Sequence, residues 1–354
     1  MSALKERLMS WATGRTTVSV DTAHATRTVV LEDAEYLATL LASDVVDTDT
    51  MVFAPGAEGS ADSPGVIGYE GSLAEPGTEF THDPGFYLQI QAYGISEYMS
   101  VVGPTLVRVA DTTDFESYLL DADRAHDQGT FADFLTNPAI QLADLPALGA
   151  GQDGDGPGLR LYVGRSGEIS TSPGGNPLGK AGDSFGALAE AWTRTNAESG
   201  RPCGVCLGAV VPEADRVAAL AQRPWLGRYL AAVHALRDLR ARGVLGTGVS
   251  GFGERLMADL AEHPEPADVS DADLPLLLRA GEDVYAHDSR HGRTFRLSRA
   301  VAETAEALLV CGSVDAASRY VEPAKADAVL RQFTATGLAL VARPLVDAGR
   351  RGAS

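Results

Sequence analysis

Hydrophobic and polar residues follow a strand pattern over a short stretch near the carboxyl end of the chain. The first run begins at Leu276 and ends at Gly281, and a second extends from Val284 to Asp288. A turn centred on Gly292 separates the second run from a third, Thr294 to Ser298. Short runs bounded by glycine and polar residues are typical of strands joined by hairpins. The pattern therefore predicts a small antiparallel sheet.

The spacing of apolar residues then changes to that of helices. A first helix is predicted between the N-cap Ser298 and Gly312, because apolar residues recur at helical spacing at Val301, Ala305, Leu308 and Leu309. A second, short helix is predicted from Ser313 to the break at Pro323, and a third from Ala324 to Thr336. The last apolar run, Leu338 to Val341, is predicted to be a strand that closes the sheet.

Residues 274–344 resemble the PqqD-like recognition element, a small domain that binds leader segments of ribosomally made peptides (RiPPs) while other enzymes modify them. Four segments carry the resemblance: Phe295 to Ser298, Val310 to Val314, Asp315 to Val321 and Phe333 to Leu338. The resemblance implies a winged helix-turn-helix with a three-stranded sheet and three helices. With the region before it, the whole chain is expected to be a mixed α/β (α+β) protein.

The resemblance also implies how the domain works. In these domains the leader adds as an extra strand to the sheet and lies beside the third helix. The residues expected to contact the peptide are Arg293, Thr294, Phe295, Arg296, Leu297, Lys325, Val329, Gln332 and Phe333. The implied protein is a non-catalytic adaptor without a cofactor, whose partners are the precursor peptide and peptide-modifying enzymes. Two further segments, Ser172–Gly175 and Cys203–Cys206, are similar to the daptide type of recognition protein.

The preceding residues alternate strand and helix signals. A strand, a helix and a second strand are predicted between Arg27 and Ala54, and a polar loop follows from Pro55 to Pro84. Five glycines between 149 and 158 indicate a linker. We therefore expect a mixed α/β region over residues 1–150 and a second α/β to helical region over 159–270, either as separate cores or as one.

Charge is distributed unevenly along the chain. The protein has 29 Lys and Arg against 48 Asp and Glu, a net charge of −19, which disfavours nucleic acid and anionic membrane as partners. Residues 276–343 contain nine basic and eight acidic residues, so nearly all of the negative charge lies elsewhere. Four arginines surround the hairpin and are either contacts for acidic leader residues or a solvated edge: Arg290, Arg293, Arg296 and Arg299.

The first seven residues lack the apolar core of a signal peptide, and no stretch reaches the eighteen or more apolar residues that a membrane helix needs. The three cysteines fit a reducing compartment. We therefore expect a cytoplasmic protein.

The Cys203-Gly204-Val205-Cys206 motif is the strongest chemical signal, although it is only a weak candidate for a metal site. A structural zinc ion needs four ligands, and Cys311, His287 or His291 could complete the set only if the fold brought them close. The following run, Leu207 to Val211, is strand-like and argues against a thioredoxin-type site. Two buried, unreactive cysteines are the favoured interpretation, and His287 and His291 are expected to point into water.

Two other functions remain open. One is a peptide-modifying enzyme with a metal or nucleotide site in residues 1–270, using the cysteines or the loop at Gly174–Gly175. The other is a winged-helix DNA regulator, which is disfavoured because the third helix has only Lys325 and Arg331 as basic residues. The Gly246–Gly251 segment matches a dinucleotide fingerprint but follows a predicted helix, and is expected to connect two helices. The acidic pair Glu32-Asp33 is interpreted as capping and surface charge.

Overall fold

A computed structural model describes the protein over residues 3–16, 24–57, 65–83, 85–151 and 154–341. The chain divides into two compact units, of which the first contains residues 1–124 and 131–233. The second contains residues 125–130 and 234–354. Residues 342–344 of the predicted carboxyl-terminal domain lie outside the described residues.

The described part of the first unit contains a mixed sheet of ten strands. In chain order they are β1 (Thr28–Leu31), β2 (Met51–Pro55), β3 (Val66–Gly71), β4 (Glu79–Asp83), β5 (Phe86–Ala92), β6 (Thr105–Arg108), β7 (Ile140–Leu142), β8 (Arg160–Val163), β9 (Glu168–Ser170) and β10 (Gly179–Lys180). Their order across the sheet is β10-β9-β8-β1-β2-β3-β4-β5-β6-β7. Strands β4 and β9 run antiparallel to both neighbours, and every other neighbouring pair in this order is parallel.

Helices cover both faces of this sheet. The helices that begin before residue 230 are α1 (Ala3–Thr13), α2 (Leu37–Leu41), α3 (Tyr93–Ser96), α4 (Thr112–Gln128), α5 (Phe185–Glu198), α6 (Glu213–Gln222) and α7 (Leu226–Ala241). Val30 of β1 packs in one core with Trp11 of α1, whereas its neighbours Val29 and Leu31 pack in another with Leu188 of α5. Successive strand residues point to opposite faces, so a strand covered on both sides is apolar throughout.

Two buried arginines from distant strands bind the same carboxylate. Arg108 of β6 contacts Asp144 at 3.0 Å, and Arg160 of β8 contacts it at 2.7 Å. Five strands separate β6 from β8 in the sheet order. With a spacing of about 4.8 Å between strands, a flat sheet would hold them roughly 29 Å apart. The sheet therefore curls around α1 until the two arginines meet at Asp144.

The described part of the second unit is an antiparallel sheet of four strands packed against helices. The strands are β11 (Thr247–Val249), β12 (Leu276–Ala280), β13 (Asp283–Asp288) and β14 (Arg293–Leu297), paired in that order. The helices α8 (Arg299–Cys311), α9 (Val314–Ala317) and α10 (Pro323–Ala335) follow. Ser298 and Ser313 cap α8 and α9 through their hydroxyl groups, and Gly312 ends α8 in a left-handed conformation (φ 70°).

The predicted fold class, a mixed region followed by a three-stranded winged helix, is wrong. The second unit has a fourth strand, β11, and the described residues 338–341 form no strand. The strand-helix-strand unit predicted between Arg27 and Ala54 is confirmed as β1, α2 and β2, and it forms part of a sheet of ten strands in the first unit. The three C-terminal helices do lie where their caps and spacing predict them. The error concerns strand pairing between distant segments, which local periodicity does not report.

Two predicted connections also contain strands. The Gly246–Gly251 segment, expected to join two helices, contains β11, which pairs with β12 through Thr247 and Ala280. The polar loop from Pro55 to Pro84 contains β3 and β4, although residues 58–64 and 84 lie outside the described part. Both segments are rich in glycine and polar residues, and pairing with neighbouring strands outweighs their low strand propensity.

Among the described residues, none of the helices combines the length and the apolar character of a transmembrane segment.

A buried carboxylate on α8 organises the loop that follows β11. Glu306 is fully buried and accepts hydrogen bonds from the Ser250 hydroxyl at 2.5 Å and from the backbone N–H groups of Leu256 and Met257 at 2.8 and 2.7 Å. Burial raises the pKa of Glu306, although these donors act in the opposite direction. The helical pattern alone does not mark Glu306 as a core residue.

We expect Glu306→Ala to destabilise the second unit by about 3 kcal/mol, because it leaves two backbone donors and one hydroxyl without their acceptor. The matched control is Glu303→Ala on the same helix, where loss of the ion pair with Arg299 should cost about 0.5 kcal/mol or less. Urea unfolding of the full chain measures both variants. Equal losses would show that Glu306 does not hold the loop.

Candidate functional site

Strand β14 lies at the edge of the four-stranded sheet. It pairs with β13 on one side, from Val284 opposite Leu297 to Asp288 opposite Arg293. Among the described residues, no strand pairs with its other side. Alternate residues of an edge strand direct their backbone N–H and C=O groups away from the sheet. The edge therefore presents unpaired hydrogen-bonding groups.

The side chains of β14 divide between the two faces of the sheet. Phe295 and Leu297 are half-buried and pack against the core of the second unit. On the other face, the Thr294 hydroxyl shares a 3.0 Å hydrogen bond with Nδ1 of His287, while Arg296 is exposed. The guanidinium of Arg293 lies 5.7 Å from the centre of the Phe295 ring. All five residues predicted on the hairpin strand thus lie together at one sheet edge.

The residues predicted on the third helix fall into two groups. Val329 and Phe333 are buried in the core, so their side chains support the sheet from within. Lys325 and Gln332 are exposed, and Lys325 pairs with Glu322 at 3.1 Å. Only the exposed pair is available to a ligand on the outer surface of α10.

Neighbouring carboxylates already engage most of the arginines around the hairpin. Arg293 contacts the buried Asp288 at 2.7 Å, and Arg296 pairs with Asp283. Burial alone would raise the pKa of Asp288, but hydrogen bonds from Arg293 and His291 outweigh it and hold that pKa below its ordinary value. Arg299 pairs with Glu303. Arg290 is exposed and has no ion pair among the described residues, so it carries the least compensated positive charge of the four.

The two hairpin histidines have different environments. His287 is fully buried, and its ring centre lies 5.9 Å from that of His234. Burial lowers the pKa of His287, despite the raising influence of Asp238 and Asp288. The expectation that both histidines point into water is therefore wrong for His287. His291 is exposed and contacts Asp288 at 2.8 Å.

The two candidate metal ligands, Cys203 and Cys206, are buried in the first unit and joined by a disulfide. The following segment, Leu207 to Val211, forms turns rather than the predicted strand. The Asp155 carboxylate lies 3.2 Å from each sulfur. Sequence reasoning missed Asp155, because it lies in the glycine-rich segment interpreted as a linker.

The interpretation of Glu32 as a surface charge is wrong. Its side chain is only 4% exposed and accepts a 2.6 Å hydrogen bond from Ser72, with the Tyr162 hydroxyl at 3.4 Å. Burial raises the pKa of Glu32, while Ser72 and Arg165 act in the opposite direction. It follows β1 directly, at the carboxyl end of parallel strands, where α/β proteins place functional groups. A buried carboxyl group of this kind suits acid–base chemistry. Its neighbour Asp33 does act as a cap, for Glu35.

No family model, curated protein or solved structure matches this chain.

We expect Glu32→Gln to become more stable relative to the native protein as pH rises from below 4.5 to neutrality. The raised pKa means that burial favours the protonated carboxyl group; its stabilising contribution is complete below the ordinary value of 4.5 and is lost as Glu32 ionises. Urea midpoints at several pH values measure the difference, with Glu116→Gln, at an exposed position of α4, as control. Parallel pH curves for native protein and Glu32→Gln would contradict the assignment.

Proposed function

We propose that the second unit binds an extended peptide by adding it as a strand to β14, and that the protein presents ribosomally made precursor peptides to separate modifying enzymes. The observation that carries this proposal is the free edge of β14 in the described structure. Backbone hydrogen bonds along such an edge provide affinity that tolerates sequence variation, and pockets for alternate side chains provide selectivity. Both properties suit the capture of a leader segment.

The side chains around the edge favour a peptide over a second copy of the same strand. Exposed charges on edge strands hinder edge-to-edge association of folded sheets. Arg293 and Arg296 place such charges on β14. Two copies of β14 would bring arginines together, whereas a polar or acidic peptide would not meet this repulsion. The half-buried Phe295 and Leu297 offer apolar contacts on the core face.

The charge distribution favours the segment that contains β12 to β14 and α8 to α10 as the place for an acidic ligand. Residues 276–343 carry nine basic and eight acidic side chains in a protein of net charge −19. An acidic leader is therefore repelled less here than elsewhere on the chain.

We place Lys325 and Gln332 of α10 at the side of the bound peptide and assign no direct contact to Val329 or Phe333. Precursors are synthesised in the cytoplasm, where we propose that binding takes place.

We expect a proline scan of Thr294, Phe295 and Arg296 to separate two effects. Adjacent strand residues direct their N–H groups to opposite sides, so a proline either removes a donor to β13 or removes one to the ligand. At least one folded variant should lose tenfold or more in affinity. Fluorescence anisotropy of labelled leader peptides, encoded beside this gene and titrated with the full chain, measures the loss.

The matched controls are alanine variants at the same positions, and circular dichroism identifies the variants that remain folded. If every folded proline variant bound the leaders as tightly as its alanine control, strand addition at β14 would be excluded.

We expect charge reversal at the hairpin to have a small effect. Arg290→Glu and Arg296→Glu should each weaken an acidic leader by about 1 kcal/mol or less, because exposed ion pairs contribute little. The loss should shrink as salt is added. Arg319→Glu, at an exposed position after α9, is the matched control. If the two hairpin variants lost no more affinity than Arg319→Glu, the acidic residues of the leader would not contact the hairpin arginines.

A further inference from the structure

Three side chains of types that can bind a metal ion lie close together in the first unit. The sulfurs of Cys203 and Cys206 and a carboxylate oxygen of Asp155 all lie within 4.8 Å of one another. Asp155 precedes β8, and the cysteines lie in a turn segment between α5 and α6. Both cysteines are fully buried. The cluster therefore depends on the fold rather than on the Cys-x-x-Cys spacing alone.

The disulfide leaves one oxygen of Asp155 without a donor. Asp155 Oδ1 accepts a 2.7 Å hydrogen bond from Arg160 Nε, whereas Oδ2 faces only the two sulfurs among the described residues. A disulfide sulfur carries no proton. A buried acceptor without a donor is costly. Two thiols could donate to Oδ2, and a cation bound by both thiolates would be ligated by it.

The Arg160 guanidinium would compensate part of the negative charge that two thiolates and a carboxylate bring to such a cation site. Two thiolates and one carboxylate carry three negative charges, which a divalent cation and the Arg160 guanidinium would neutralise. Arg160 Nη2 lies 3.4 Å from Cys206 Sγ, and the Thr171 hydroxyl lies 3.7 Å from the same sulfur. Donors to ligating atoms orient and stabilise metal ligands.

The backbone conformation at Cys203 is a separate indication that the surrounding structure constrains this segment. Cys203 adopts a left-handed conformation with φ of 54°, which is unfavourable for residues other than glycine. Strained residues of this kind persist where the surrounding structure enforces them, and they concentrate at ligand sites.

We propose that Asp155 and the reduced Cys203–Cys206 pair bind one divalent cation of the zinc class, and that the disulfide is the oxidised, metal-free form. Reduction breaks the S–S bond, takes two electrons from a phosphine or thiol reductant and adds two protons. Binding of the cation then releases both thiol protons to solvent. Three protein ligands leave one position for water, as in open zinc sites. This inference is independent of peptide binding by the second unit.

The first test is a cobalt titration of the full chain after anaerobic reduction with a phosphine, with the oxidised protein in parallel. After reduction we expect three thiols per chain, counted in denaturant because Cys203 and Cys206 are buried, and one bound cobalt ion with a thiolate-to-cobalt charge-transfer band that zinc abolishes. The oxidised protein should show one thiol and no band.

Two variants sharpen the test. Asp155→Asn should keep the thiolate band but weaken cobalt binding at least tenfold, because it replaces an anionic ligand with a neutral one. Cys311→Ala removes the remaining cysteine, which belongs to the second unit, and should leave stoichiometry and affinity unchanged.

Three results would overturn the proposal. Reduced protein with three free thiols and no bound cobalt would show a dithiol pair without a metal function. Unfolding on reduction, observed by circular dichroism, would show a structural disulfide. If Asp155→Asn bound cobalt with unchanged affinity, Asp155 would not be a ligand of the cation.

Discussion

The structure of the first unit depends on a buried cluster of two arginines and two carboxylates. Asp144 forms ion pairs with Arg108 of β6 and with Arg160 of β8. Arg160 also forms an ion pair with Asp155. Removing one partner from a buried pair typically costs about 3–5 kcal/mol, since the other charge remains buried. The cluster therefore fixes the curvature of the sheet, because the arginines can share Asp144 only when distant strands come together.

The same cluster forms part of the surroundings of the cysteines. Arg160 binds Asp155 with Nε and approaches Cys206 with Nη2. The backbone carbonyl of Trp11 also accepts from Arg160, at 3.0 Å, so α1 is tied to the same group. An arginine held from several sides provides a fixed positive charge beside a sulfur. One guanidinium therefore contacts the curved sheet, helix α1 and the surroundings of the cysteines.

In the second unit, the described sheet ends at β14, a strand that has a neighbour on one side only. One face of the sheet packs on the helices, where Phe295 and Leu297 join their core, and the other face also buries Leu276, Leu278 and His287. Glu306 secures the loop after β11 from within, and Asp288 secures the hairpin turn through Arg293 and His291. Buried carboxylates with several donors can order loops that lack apolar residues. The edge of β14 is thus held firmly, and no strand of the described residues covers its outer side.

The sequence by itself determined the local elements of the second unit: serine caps and Gly312 mark the helices, and apolar runs around Gly292 mark β12 to β14. These signals act over a few residues. Only the tertiary structure decided that β8 pairs with β1, that β11 adds a fourth strand, and that Glu32 and Glu306 are buried. Each depends on residues distant in the chain, which local periodicity cannot report. For the same reason, Asp155 could be identified beside the cysteines only from the fold.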